Sequence, residues 1–225
     1  MITQLTTCTV GSRLHGLANE NSDWDIRGIH MHDLKEILSP FQTLKQTSWI
    51  EGDVDNVSYE LTDFCKQAIH GNCSYLEVFF SNLIITTTPI ADEMRTNWRK
   101  FIDTDKFVMA SRGYASNQLA KMQLFDDIGV KDQHRTSKFA IAYCRVLWQC
   151  AEFLKTQVFP CQITDSELKA FLVDIKAGWS DVYIPDLTEL FSKLQADVTS
   201  AWKDADKLKP DLPWIESFLL RAYTS

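Results

Sequence analysis

No stretch of this chain is apolar for long enough to cross a bilayer. The longest runs, "FAIAYCRVLW" (139–148) and "YLEVFF" (75–80), fall well short of the roughly 20 residues a spanning helix requires. The opening "MITQLTTCTV" lacks a charged region ahead of an apolar one, so no export signal is read there and a cytoplasmic protein without membrane partners is expected. The cysteines (Cys8, Cys65, Cys73, Cys144, Cys150, Cys161) include no C-x-x-C pair and no His partner at zinc-finger spacing. Neither a zinc site nor a disulfide framework is indicated, and reduced thiols are expected. Positive charge is also in short supply. The net charge is −7, with residues 1–103 carrying 8 Lys/Arg against 14 Asp/Glu, residues 104–157 carrying 8 against 5, and residues 158–225 carrying 7 against 11. Tracking many phosphates along a duplex requires a basic surface, so extended duplex DNA is not an expected partner. The middle segment retains enough charge for one triphosphate or one strand end. No internal repeat or low-complexity stretch breaks the chain.

What the chain does contain is 45% hydrophobic and 12% aromatic residues over 225 positions, enough to fill one large core or two small ones. Up to about residue 100, short alternating runs predict strands at 5–11, 24–31 and 55–61. Between and after them, "DLKEILSPF" has an Asp start and a stop before Pro40, and "LTDFCKQAIHGN" has a Thr/Asp start and a Gly-Asn stop, predicting helices. From Thr104 onward, apolar residues recur at three and four, predicting helices over 105–125, 135–156, 164–178, 185–205 and 212–223. The third of these has Thr164 or Asp165 ahead of Glu167 and Gly178 at its end. The expected class is α+β: a mixed-sheet domain over 1–103 and a helical domain over 104–225, joined near 95–106, with a site between them.

The most informative stretch is "GSRLHGLANENSDWDIRGIH" (11–30). Side chains two apart on a strand share a face, so Asp23 and Asp25 are expected to project side by side. Adjacent carboxylates repel unless a cation neutralises them, and their oxygens suit a hard divalent ion such as Mg²⁺ or Mn²⁺. At the preceding turn, Gly11 leaves room for a phosphate near the backbone, and the Ser12 hydroxyl and free N–H groups can donate to its oxygens. A cation clamp facing an anion cradle suits phosphoryl or nucleotidyl transfer assisted by two metal ions.

These residues resemble a known family. Gly11-Ser12, Gly16 and "SDWD" (22–25) reproduce the G-S-x3-G-x5-S-D-x-D pattern of nucleotidyltransferases of the DNA polymerase beta superfamily. Further blocks, "VSYELTDFCKQAIHGNCSYLEVFFS", "FVMASRGYASNQLAKM", "KFAIAYCRVLWQCAEFLKT" and "FLVDIKAGWSD", resemble the predicted-nucleotidyltransferase branch associated with RNA repair. The resemblance implies a small sheet with flanking helices and three catalytic, metal-binding carboxylates. Asp23 and Asp25 match the first two. Asp55 is the expected third because it begins the alternating run Asp55-Val57-Tyr59, with Glu60 (opposite parity) and Asp53 (in the turn "EGDVD") as alternatives. Gly11, Ser12, Arg13, Ser22 and Arg27 form the expected phosphate-binding set, joined by Lys138 and Arg145, seven apart and matching basic positions of the family block.

Each residue also has a plainer reading. Arg27 can simply pair with Asp25, His15 can be an exposed loop residue, and Trp24 is expected to face the core although it could stack a base. Asn72 can be a helix cap, Glu77 a structural hydrogen-bonding group, and the basic residues of the helical half a solvated surface. Tyr143 stands where a His is common in the family. The implied reaction is attack of an acceptor hydroxyl (RNA end, protein or small molecule) on the α-phosphate of a nucleoside triphosphate, releasing pyrophosphate. The alternative is a noncatalytic nucleotide-binding or antitoxin-like regulatory module of the same fold.

Overall fold

The computed structural model describes residues 2–41, 44, 46–127, 133–178 and 184–224. It divides into two compact units, Met1–Asp103 with Leu208–Ser225, and Thr104–Lys207. The first is built on a five-stranded mixed sheet, so the α+β class holds. Its strands are β1 (Ile2–Thr9), β2 (Trp24–His32), β3 (Gln46–Glu51), β4 (Val54–Glu60) and β5 (Ile84–Thr86), in the order β3-β4-β2-β1-β5. β2 and β4 run parallel; the other neighbours are antiparallel.

The three strands expected from alternation are present, though β1 starts earlier and ends at Thr9. Gly11, expected at the strand end, instead opens the single helical turn α1 (Gly11–Leu14). β3 and β5 carry no comparable sequence signal. β3 is a mostly exposed edge strand with no buried residue to set a period, and β5 is three residues held by pairing with Thr7 and Cys8 of β1.

Local capping accounts for the helices of this unit. Asp33 and Glu36 form a reciprocal capping box at α2 (Leu34–Ile37). The buried Glu60 side chain accepts from Asp63 N–H at the start of α3 (Leu61–Ile69), which is followed by Gly71 at φ +73°. Asn72 caps α4 (Cys73–Phe80), as its sequence position allowed, and Thr88 caps α5 (Pro89–Thr96), which has proline in its first turn. The core forms where α3 and α4 meet one face of the sheet: Tyr59 of β4 stacks on Tyr75 with ring centroids 3.9 Å apart, and Phe64 meets Phe79 edge-on at 5.0 Å.

The second unit is helical: α6 (Thr104–Asp127), α7 (Gln133–Thr156), α8 (Ser166–Ala177) and α9 (Ile184–Asp204). α7 is its centre, packing against the other three. Asp165 is the residue that caps α8, accepting from Glu167 and Leu168 N–H. Tyr143 is buried, accepts from Gln195 Nε2 at 3.1 Å and lies against Phe191.

The last helix, α10 (Leu212–Thr224), belongs by its contacts to the first unit, whereas sequence periodicity placed it with the helices before it. Lys100 Nζ pairs with Asp211 at 2.8 Å, and Trp214 and Phe218 pack edge-on against Phe101. At its far end, the Tyr223 hydroxyl donates to Glu60 Oε1. Burial and this carboxylate acceptor push the Tyr223 phenol above its ordinary pKa, so it stays a donor at neutral pH. Tyr223→Phe leaves a buried carboxylate oxygen without that donor and is expected to cost about 1–3 kcal/mol. Urea unfolding of the full chain checks this; an unchanged midpoint would show that the bond contributes nothing net.

Candidate active site

The site is assembled by the parallel pairing of β2 with β4. Its register sets Asp25 directly opposite Asp55, Arg27 opposite Val57 and Ile29 opposite Tyr59. These odd-numbered residues share the face on which Tyr59 meets the helices. Ile29 and Tyr59 are buried, while further toward the start of both strands the carboxylates emerge: the Asp25 side chain is 31% exposed and that of Asp55 49%. The two are sheltered enough to feel each other and open enough to meet a ligand.

The glycine–serine turn closes over the same spot. The last β1–β2 pair is Thr9 with Ile26, after which Val10 N–H donates to Asp25 O at 2.9 Å. Gly11 then takes φ +66°, and a β-carbon there would lie 2.1 Å from Asp25 Oδ2. The room left by the absent side chain is therefore filled, on the β-carbon side, by a carboxylate. Ser12 is partly exposed and its hydroxyl has no hydrogen-bond partner among the described residues.

Arg13 and Ser22 shape the loop. The Arg13 guanidinium lies 3.9 Å over the Trp24 ring and donates to Ser22 O at 2.7 Å, while the Ser22 hydroxyl and the Asn19 side chain bond each other at 3.0 Å. Trp24 is 47% exposed, against the expectation that it faces the core: it lies on the opposite strand parity from Asp25, at the strand's first position. His15 also departs from its expected exposure. It is buried, with Nε2 3.4 Å from the buried Glu77 of α4, and this pair ties the turn to the core.

Arg27 bridges the two strands. Its Nη1 donates to Ile26 O and Asp55 O, both at 3.0 Å, and its Nη2 lies 3.2 Å from Asp55 Oδ2 and 3.6 Å from Asp25 Oδ1. Despite this cation, burial holds the Asp25 carboxyl above the usual range, with repulsion from Asp55, Asp23 and Glu77 adding to the shift. Asp23 is exposed and precedes the first strand residue, so pleat parity does not determine its direction. Asp53 occupies an exposed turn, its carbonyl accepting from Trp24 N–H at 3.4 Å. Glu60 is buried under the α3 N-terminus and Tyr223, away from this constellation. Among the described residues, no group of three His, Cys, Asp or Glu side chains is drawn close enough to hold a metal ion. Asp25 and Asp55 nonetheless form a half-sheltered anionic pair that already requires a positive charge, the chemical condition a divalent cation fits.

Lys138 and Arg145 lie on α7 in the second unit, Lys138 exposed and Arg145 bonded through Nη1 to Gln149 Oε1 at 2.9 Å. The sequence paired Asp23 with Asp25 and named Asp55 as the third carboxylate; the strand register instead sets Asp55 beside Asp25. The His15–Glu77 support had no signal of its own, because burial made it.

Residues 3–206 match the RlaP family, described as the RNA repair pathway DNA polymerase beta family. The chain belongs to this family. No curated protein matches the chain. Solved structures similar to this family member include a nucleotidyltransferase-like protein from Exiguobacterium sibiricum 255-15, 12% identical, covering 97% of this chain and 69% of that one with a TM-score of 0.32.

Proposed function

We propose that this chain is a metal-dependent nucleotidyltransferase that moves a nucleoside monophosphate from a nucleoside triphosphate to an acceptor hydroxyl. The observation that carries the reading is the in-register pairing of Asp25 with Asp55 beside the Gly11–Ser12 turn. In the reaction, the acceptor oxygen bonds to the α-phosphorus, the bond from that phosphorus to the β-phosphate bridging oxygen breaks, and pyrophosphate leaves. Two Mg²⁺ or Mn²⁺ ions, held by Asp25, Asp55 and Asp23, would polarise the phosphate and neutralise charge on the leaving group. Asp55, the more open of the paired carboxylates, would take the hydroxyl proton. The Ser12 hydroxyl and the main chain of its turn supply donors for the outer phosphates. Arg13 and Ser22 act on this cradle by fixing the loop around it. Arg27, bonded through Nη2 to Asp55, is the further candidate to meet a phosphate oxygen. For Lys138 and Arg145 the support is the family resemblance alone. The family's description favours an RNA end as acceptor.

A second reading, a noncatalytic nucleotide-binding or antitoxin-like module, is favoured by the way the pair is held: Arg27 already offsets one of its two negative charges, and Asp23 is not gathered with it. Incubation with each α-labelled nucleoside triphosphate, Mg²⁺ or Mn²⁺, and RNA, protein or small-molecule acceptors separates the two. Label transferred to one acceptor class, with release of pyrophosphate, is expected. Nucleotide binding without transfer to any acceptor would support the noncatalytic module.

A further inference from the structure

We infer that Arg27 is the built-in counter-ion of the Asp25–Asp55 pair and sets the divalent-cation concentration at which the site loads, by competing for the same carboxylate oxygens. The inference rests on the reading that these two carboxylates bind the metal.

The two arms of the guanidinium do different things. Nη1 is anchored by two main-chain carbonyls, those of Ile26 and Asp55, which accept whatever the state of the site. Nη2 faces the carboxylates, at 3.2 Å from Asp55 and 3.6 Å from Asp25. One arm therefore holds the group in place while the other occupies the position of a neutralising cation. The Arg27 side chain is only 18% exposed, so this charge is less screened than that of a surface ion pair.

Asp25 is seated between the turn and the guanidinium. Its Oδ2 lies against the Gly11 backbone, where even a β-carbon would approach to 2.1 Å, and its Oδ1 is the oxygen turned to Arg27. A cation drawn to Asp25 Oδ1 and Asp55 Oδ2 meets the oxygens that Nη2 already faces. A divalent ion and a guanidinium a few ångströms apart repel, so each lowers the other's occupancy of the pair. The arginine thereby stabilises the metal-free fold and raises the threshold for loading. Both effects are reciprocal consequences of one coupling free energy.

The test is Mn²⁺ titration of the full chain by calorimetry and by electron paramagnetic resonance at fixed salt, comparing wild type, Arg27→Gln, Arg27→Lys and Asp25→Asn, with thermal melts in chelator and in Mn²⁺. Arg27→Gln is expected to lower the Mn²⁺ Kd about tenfold, to melt below wild type in chelator and to gain more from Mn²⁺. Arg27→Lys, which keeps the charge but loses the fork, is expected to fall between. It carries the comparison if the glutamine variant does not fold. Binding that Asp25→Asn weakens but the Arg27 variants leave unchanged or weaken overturns the Arg27 assignment alone. Binding that Asp25→Asn does not alter places the metal elsewhere and overturns the metal-site reading with it.

Discussion

Asp25→Asn and Asp55→Asn are each expected to lower nucleotidyl transfer by about 10²–10⁴-fold, the rate equivalent of several kcal/mol of charge stabilisation. The fold should survive. For Asp25 the sign follows from its raised pKa, caused first by burial and then by Asp55, Asp23 and Glu77, with Arg27 acting the other way. A carboxyl that holds its proton more tightly when folded makes the ionised form a liability. Its contribution to stability is lost as pH rises from the ordinary value of 3.8 through the raised one. The amide keeps the shape and removes that loss. Without divalent cations, Asp25→Asn should therefore melt no lower than wild type at neutral pH, and its melting temperature should fall less as pH rises through that window. Single-turnover transfer assays and melts in chelator across pH 4–8 check both parts. Retained turnover by either amide variant would remove the pair from the chemistry, and a lower neutral-pH melt for Asp25→Asn would contradict the electrostatic account.

The second large effect is expected from the smallest change, Gly11→Ala. The residue sits at φ +66°, where a side chain costs about 1–2 kcal/mol. The new β-carbon would also lie 2.1 Å from Asp25 Oδ2, a contact that must be relieved by moving the carboxylate or the turn, at about 1–3 kcal/mol more. Because the atom displaced is an oxygen of Asp25, stability and function should fall together: a lower urea midpoint, weaker Mn²⁺ binding and loss of transfer. Gly113, exposed in the middle of α6 with nothing within 4 Å of an added β-carbon, is the matched control. There alanine should stabilise by about 0.5–1 kcal/mol through helix propensity. A Gly11→Ala protein that melts and binds Mn²⁺ like wild type would show that the turn is free to yield.

Much of this was legible in the residues themselves. Helices α6 to α10 follow apolar periods and caps such as Asp165, which operate over a few neighbouring residues and need no partner to be read. β3 and β5 were not legible, since an exposed edge strand has no buried face to impose alternation and a three-residue strand exists only through its neighbour. Trp24 and His15 exchanged their expected environments for the same reason. Arg13 lies over the indole ring at the strand's first position, and Glu77, 62 residues along the chain, draws the imidazole into the core.

The residues alone determined the helical half, the mixed α and β character of the first, and the Gly11–Ser12 turn followed closely by Asp23 and Asp25, because propensity, capping and turn chemistry act along the chain. Only the tertiary structure decided that Asp55 stands beside Asp25, that Arg27 reaches both, that Gly11 gives its space to a carboxylate, and that α10 returns to hold Glu60. Those facts depend on strand register and on which surfaces are buried together. Both are settled by free energy summed over the folded unit, which no local stretch of residues contains.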